Sequence, residues 1–398
     1  MTRVYVGMSG GVDSSLTAAL LVEQGYDVTG VYMKNWTQDL PGTKCPWADD
    51  LADAKRVAVQ LGIDFKVFDF ENEYKQKVVD YMIDEYKNGR TPNPDIMCNQ
   101  EVKFKLFLNA AIEDGADMIA TGHYARVEGG IWKMEDGGGR AARFDSSQDT
   151  LEPKSDPTLR PEPDLARSSV LVETDRKGER EATLLRAVDD NKDQTYFLYR
   201  VTSEALSKTL FPLGEFTKPQ VREMAKERAL YTAGKKDSQG ICFVGKVGIR
   251  DFLSQYIEQK PGQVIDKKSG KVLGQHDGAI FYTLGQRHGL DIGGGLPYYI
   301  VGKDMDKNEV YVTTDLNDGG LWRTDVQLQS AHWIGRIPAN GTYDIRIRHR
   351  APLVKAELII ADDANIHIKI LDQQRAIAGG QSIVFYDGDE CLGGGIVS

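Results

Sequence analysis

Ser9, Gly10, Gly11, Asp13, Ser14 and Ser15 fall within one short stretch, and their types suit the holding of phosphate. Gly10 and Gly11 let the backbone approach an anion closely, and the serine hydroxyls add donors. Asp13 supplies a carboxylate suited to Mg²⁺. The apolar run from Val4 to Met8 reads as a buried strand, and Leu16, Ala19 and Leu20 have helical spacing. The chain therefore passes from a strand through a tight loop into a helix start. Unpaired N–H groups and the positive end of a helix dipole meet there. Cys98 and Cys242 carry a second kind of chemistry. Cys98 follows Asn93-Pro94-Asp95, a segment stiffened by Pro92 and Pro94, and Asn99 is expected to cap the helix beyond it. A thiol near a helix start is biased toward thiolate. Asp95 reads either as a general acid–base or as a turn carboxylate. Cys242 follows Lys235, Lys236 and Gly240, a positive setting, but Ile241, Phe243 and Val244 equally suit a buried strand. Taken alone, each cysteine reads as packing or as reagent.

Alternating elements must position these groups. Strands are expected at 4–8, 28–33, 65–68 and 118–121, and helices near 15–24, 49–61, 74–86 and 102–113. That order predicts an α/β fold with a doubly wound parallel sheet, whose ligands sit beyond the C-terminal strand ends. The loop after Gly7 and Met8, together with Met33, Gly122 and His123, should line one crevice. His123 alone reads as packing or as a base contact. From about 135 to 180 the chain is rich in Gly, Pro, Ser, Asp and Glu, which predicts a long exposed insert. Helices are expected near 203–208 and 219–229, with Thr217 as cap. Short strands are then expected at 279–283, 298–301, 309–313, 343–349, 354–360, 366–370 and 382–385, forming a β-barrel. The expected division is a nucleotide-binding catalytic domain over 1–205, a small central domain over 206–276 and a barrel over 277–398. Arg346, Arg348 and Arg350 alternate along one expected strand, which places them on one face as a phosphate stripe.

The totals set bounds. With 398 residues, 41% hydrophobic and 27% charged, the chain is long enough for two or three domains. No apolar run approaches a membrane span of about 20 residues. The first strand begins almost at once, so no leader is expected and the cytoplasm is the expected compartment. Four cysteines without a Cys-x-x-Cys pattern argue against a local zinc or iron–sulfur site. The net charge of −10 weighs against broad nucleic-acid binding. Over 277–398 there are 11 Lys and Arg against 16 Asp and Glu, so any RNA surface there must be narrow.

No Gly-Lys-Ser/Thr and no Gly-x-Gly-x-x-Gly follows the first strand. Ser9-Gly10-Gly11-Val12-Asp13-Ser14 resembles the pyrophosphate-binding loop of the PP-loop ATP pyrophosphatases. Over nearly the whole chain the sequence resembles the tRNA-specific 2-thiouridylases. The likeness rests on that loop, Met33-Lys34-Asn35-Trp36, Asn93-Pro94-Asp95 with Cys98-Asn99, Gly122-His123-Tyr124, Asn191-Lys192-Asp193-Gln194, Lys236-Asp237-Ser238 with Gly240-Ile241-Cys242, Tyr282 to Arg287, Gly380-Gln381-Ser382 and Cys391 to Gly395. It implies ATP with Mg²⁺, a tRNA substrate, a persulfide sulfur-donor protein and no membrane. It further implies adenylation of the wobble-uridine O2, a persulfide on Cys242 and a disulfide closed by Cys98. Gly7 to Ser14, Met33 and Gly122 would hold ATP. Asn93, Pro94 and Asp95 would meet the target base. His123, Lys192, Asp193, Gln194, Arg348, His349 and Gln381 would touch tRNA. The insert is longer than the short hairpin usual in the family. The alternatives are a PP-loop ligase using an amine nucleophile, or a non-catalytic nucleotide- or RNA-binding protein; neither requires the two cysteines.

Overall fold

Strand β1 (Arg3–Gly7) is apolar on both faces because helices cover both faces of the sheet it centres. The computed structural model describes residues 1–39, 45–129, 181–237, 248–290, 292–293, 296–362 and 365–398. Helix α1 (Val12–Glu23), β2 (Asp27–Lys34), α2 (Trp47–Leu61), β3 (Asp64–Asp69) and β4 (Met118–Thr121) follow in the expected alternation. Two long helical stretches at 71–87 and 94–113, each with a central π-type segment, lie between β3 and β4. Short β7 (Thr209–Leu210) completes a parallel sheet of order β3-β2-β1-β4-β7. The order reverses direction beside β1, so the crevice between the ends of β1 and β4 is the switch point.

The hairpin of β5 (Arg126–Glu128) and β6 (Thr183–Leu185) leaves this domain and pairs with the last strand of the chain. The long insert expected near 135–180 lies outside the described residues. The helix at Lys218–Glu227 starts at Thr217 with a capping box to Gln220. A small sheet of order β10-β11-β8-β9 comprises β8 (Gly262–Asp266), β9 (Val272–His276), β10 (Tyr299–Asp304) and β11 (Glu309–Thr313). The expected boundary at 276/277 therefore falls inside this unit.

The strand expected at 279–283 is instead a 3₁₀ turn at Ala279–Phe281. Gly278 has φ +145° there and its amide donates to His276 Nδ1, which bends the chain away from an extended path. Six strands then close into a barrel: β12 (Trp322–Trp333), β13 (Gly341–Arg346), β14 (Val354–Asp362), β15 (Asn365–Arg375), β16 (Ser382–Asp387) and β17 (Glu390–Val397). Closure comes from β12, which pairs with both β15 and β17. Strand β13 stops at Arg346, so the expected strand to 349 is shorter and the arginine stripe does not form. Arg346 turns inward and is buried, while Arg350 has φ +62° beyond the strand end.

Candidate active site

The loop after β1 has the geometry expected of a phosphate cradle. Gly10 has φ +73°, and a Cβ there would lie 2.3 Å from the Asp50 carbonyl oxygen. Only glycine fits this crossing. Gly11 caps α1 without a side-chain bond, which leaves the first N–H groups of the helix facing the crevice. Ser14 holds the loop shape: its Oγ accepts from Ser9 N at 3.1 Å and donates to the Gly11 carbonyl at 3.2 Å. Gly122, leaving β4, packs so closely that a Cβ would lie 2.8 Å from Ser14 N. Met33 reaches from β2 to within 3.0 Å of the Cβ position of Gly7. Gly7, Ser9 to Ser14, Met33 and Gly122 thus meet at the switch point.

A second centre lies at the head of the 94–113 helix. Asn93, not Asn99, caps this helix, its Oδ1 accepting from the amides of Asp95 at 3.1 Å and Ile96 at 3.4 Å. Pro94 takes the first helical position, where its missing N–H costs nothing. Asp95, half-buried, and Cys98, buried, therefore both lie near the start of the helix. Asn99 instead donates to the Phe197 carbonyl at 3.1 Å. A cavity of about 110 Å³ opens here, lined by Thr91, Pro92, Asn93, Tyr196, Arg348, His349 and Gln381. Asn93, the adjacent pair Arg348 and His349, and Gln381 converge on it from three separate parts of the sequence. The barrel presses against its wall: Thr91 N donates to the Gly379 carbonyl at 2.8 Å, and a Cβ on Gly380 would meet Thr91 N at 2.8 Å. The His349 ring packs against Phe197, with centroids 4.5 Å apart and planes tilted by 41°. Burial, aided by Arg350, Arg346 and Lys192, pushes its imidazole down to about 4, so it meets a ligand as the neutral ring. Its Nδ1 is buried without a hydrogen-bond partner among the described residues.

Several expected RNA contacts are engaged elsewhere. His123 is buried between Phe104 and Phe211, with ring centroids 5.6 and 6.1 Å away. Lys103 Nζ lies 3.4 Å from its Nε2 and Thr121 Oγ1 lies 2.8 Å from its Nδ1. Since lysine only donates, Nε2 accepts and Nδ1–H donates to Thr121. This histidine is a packing residue, because the sheet end turns it inward. Asp193 is fully buried and pairs with Arg346 at 2.7 Å, besides accepting from Ala187 N and Thr195. It fastens the barrel to the first domain. Gln194 is tied at both ends to Tyr124, its Oε1 accepting from Tyr124 N and its own N–H donating to the Tyr124 carbonyl, each at 2.9 Å. Lys192 pairs with Asp237 at 2.7 Å but keeps part of its side chain in solvent.

Lys218 is a residue that sequence reasoning passed over as part of a helix start. Its Nζ lies 2.7 and 2.8 Å from the two Asp13 oxygens and 2.9 Å from Asp237 Oδ1. Tyr124 donates to Asp13 Oδ1 at 2.9 Å. Burial and then the nearby Asp13 carboxylate hold the Tyr124 hydroxyl far above its ordinary range, so it stays a donor. An ammonium on both oxygens does not fit a Mg²⁺ ligand, and the expected metal role of Asp13 is set aside on that ground. Among the described residues no group of three or more His, Cys, Asp or Glu could hold a metal. No described helix is long and apolar enough to cross a membrane. Cys242 lies outside the described residues.

Comparison with known proteins agrees with this division. A family described as "tRNA methyl transferase HUP domain" matches residues 2–151 and 165–246. Its companions, a "PRC-barrel domain" and an "Aminomethyltransferase beta-barrel domain", match 250–314 and 323–397. Those bounds fall within one residue of the end of β11 and the start of β12. Proteins named tRNA-specific 2-thiouridylase MnmA from Bacillus thuringiensis (strain Al Hakam), Bacillus cereus (strain Q1) and Bacillus mycoides (strain KBAB4) are each 44% identical to this chain. Each match covers 100% of this chain and 94% of the relative.

Proposed function

The chain belongs to the tRNA-specific 2-thiouridylase family, and from that premise we propose how its residues divide the reaction. Its activity is the ATP-dependent 2-thiolation of uridine in tRNA. In our reading the target is the wobble uridine. ATP lies in the switch-point crevice with its phosphates on the Ser9–Gly11 loop and its base toward Met33 and Gly122. The uridine O2 attacks the α-phosphorus, pyrophosphate leaves, and the base carries AMP on O2, which becomes a good leaving group. Mg²⁺, when bound with ATP, supplies charge neutralisation at the phosphates; no protein ligand is assigned to it.

The uridine enters the cavity beside Asn93, and Asp95 exchanges a proton with it. Cys242 carries a persulfide loaded by a sulfur-donor protein. The terminal sulfur attacks C2 and AMP departs. The Cys98 thiolate then attacks the Cys242 sulfur, the S–S bond breaks, and sulfur stays on C2. A Cys98–Cys242 disulfide results, and an external dithiol reduces it before the next turnover. Arg348, Gln381, Lys192 and the neutral ring of His349 bind the surrounding tRNA. A reducing compartment that holds tRNA, the cytoplasm, is the setting we assign.

The observation that carries this reading is the cavity: four separate chain segments meet at the head of the helix that bears Cys98. An amine ligase gives no role to that convergence. Replacing Cys242 with serine is expected to remove thiouridine formation and to leave pyrophosphate release intact. Replacing Ser9 with alanine is expected to lower both. Normal thiolation by the Cys242→Ser variant would contradict the persulfide role, and unchanged pyrophosphate release by the Ser9→Ala variant would contradict the loop assignment.

A further inference from the structure

We propose that Lys218 and Asp237 are positioning residues that couple the nucleotide loop to the chain leading into Cys242. The proposal rests on the reading of Cys242 as sulfur carrier. Lys218 is nearly buried, and its ammonium bridges two carboxylates far apart in sequence, Asp13 and Asp237. Its backbone is pinned as well, its N–H donating to Asp189 Oδ2 at 2.9 Å. Asp237 also receives Arg222 at 2.6 Å and Lys192 at 2.7 Å. Against burial, which opposes ionisation, Lys192 and Lys218 bring its carboxyl down to about 2. Three cations, Lys192, Lys218 and Arg222, therefore surround the one carboxylate of Asp237.

Asp13 lies in the first turn of α1, beside the N–H groups that receive phosphate. A polyphosphate arriving there brings negative charge next to Lys218. In a partly desolvated site such charge competes strongly for an ammonium. The hold of Lys218 on Asp237 thus depends on whether the loop is occupied. Asp237 lies five residues before Cys242, since 242 − 237 = 5. Activation of the base and delivery of sulfur stay in step through this link. When the link is broken, an activated uridine meets water before sulfur. Water then attacks C2, AMP leaves, and uridine is regenerated with ATP consumed.

The test is a single-turnover assay of the full chain with ATP, tRNA and glutathione persulfide as sulfur source. Pyrophosphate released and 2-thiouridine formed are measured together. The wild-type ratio is expected near one. Asp237→Asn is expected to raise it about tenfold, a size typical of coupling between sites. Arg222→Met, which leaves the Asp13–Lys218 pair in place, is expected to raise it by a smaller factor. Lys218→Met should raise the ratio and Lys218→Arg should bring it back toward one. A purely structural role would lower both products together. A ratio that stays near one in both Asp237→Asn and Arg222→Met, at any overall rate, overturns the proposal; should Asp237→Asn not fold, Arg222→Met decides alone. Cys242→Ser is assayed in parallel: thiouridine from that variant refutes the carrier assignment itself, whatever the ratios show.

Discussion

Asp193 and Arg346 form an ion pair with almost no solvent, joining the first domain to the barrel. Removing one charge from such a pair leaves the other buried and uncompensated, at a cost of about 3–5 kcal/mol. Asp193→Asn is therefore expected to lower the denaturation midpoint clearly. The tRNA affinity of the fraction that remains folded should be unchanged, as measured by filter binding under native conditions. A large affinity loss without a stability loss would restore the RNA-contact role that the sequence suggested. This residue shows where reading from sequence stops. A polar segment such as Lys192-Asp193-Gln194 announces polar work, but burial decides whether the partner is RNA or protein. The glycines were legible because the need for close approach is written in the residue type, as at Gly10 and Gly122. His123 was not, since a histidine after a strand looks alike whether it faces the crevice or Phe104 and Phe211. Lys218 was missed because its partners, Asp13 and Asp237, are local to it only in the fold.

At the scale of elements, the 94–113 helix organises the second centre. Its start was expected after Cys98, yet Asn93 and Pro94 begin it earlier and place Asp95 and Cys98 on the same opening turns. Asn93 both caps the helix and lines the cavity. Asn93→Asp keeps an acceptor for the Asp95 and Ile96 amides and adds a favourable charge at a helix start. It should leave thermal stability nearly unchanged while lowering thiolation, because a carboxylate replaces an amide in the wall of the cavity proposed to take the base. Asn93→Ala should cost about 1 kcal/mol of stability as well. Equal activity of Asn93→Asp and wild type would show that Asn93 only caps. The parallel sheet was legible because its strands are short apolar runs alternating with longer segments of helical character. Strands β12 and β17 were not. Arg323, Asp325, Gln327 and Gln329 make β12 look like a loop, and Gly393 to Gly395 do the same for β17. Those glycines are there for packing: a Cβ on Gly394 would lie 2.3 Å from the Ile383 carbonyl.

For the whole molecule, the barrel packs against the first domain and supplies part of the wall of the second centre. The barrel is fastened at Arg346 to Asp193, at Ser382 to Tyr196 and Tyr199, and at Gly379 to Thr91. In the proposed reading, a chain with net charge −10 meets tRNA through a few local cations, Arg348 at the cavity and Lys192 beside Asp237. In the proposed mechanism, ATP is spent on the base before sulfur arrives. The most direct measurement uses the Cys242→Ser variant, tRNA, and ATP labelled on either the α- or the γ-phosphate. Label from the α-phosphate should become attached to tRNA, in step with release of pyrophosphate, and label from the γ-phosphate should not. Transfer of γ-label, or release of pyrophosphate with no α-label reaching the tRNA at any time, would contradict the account.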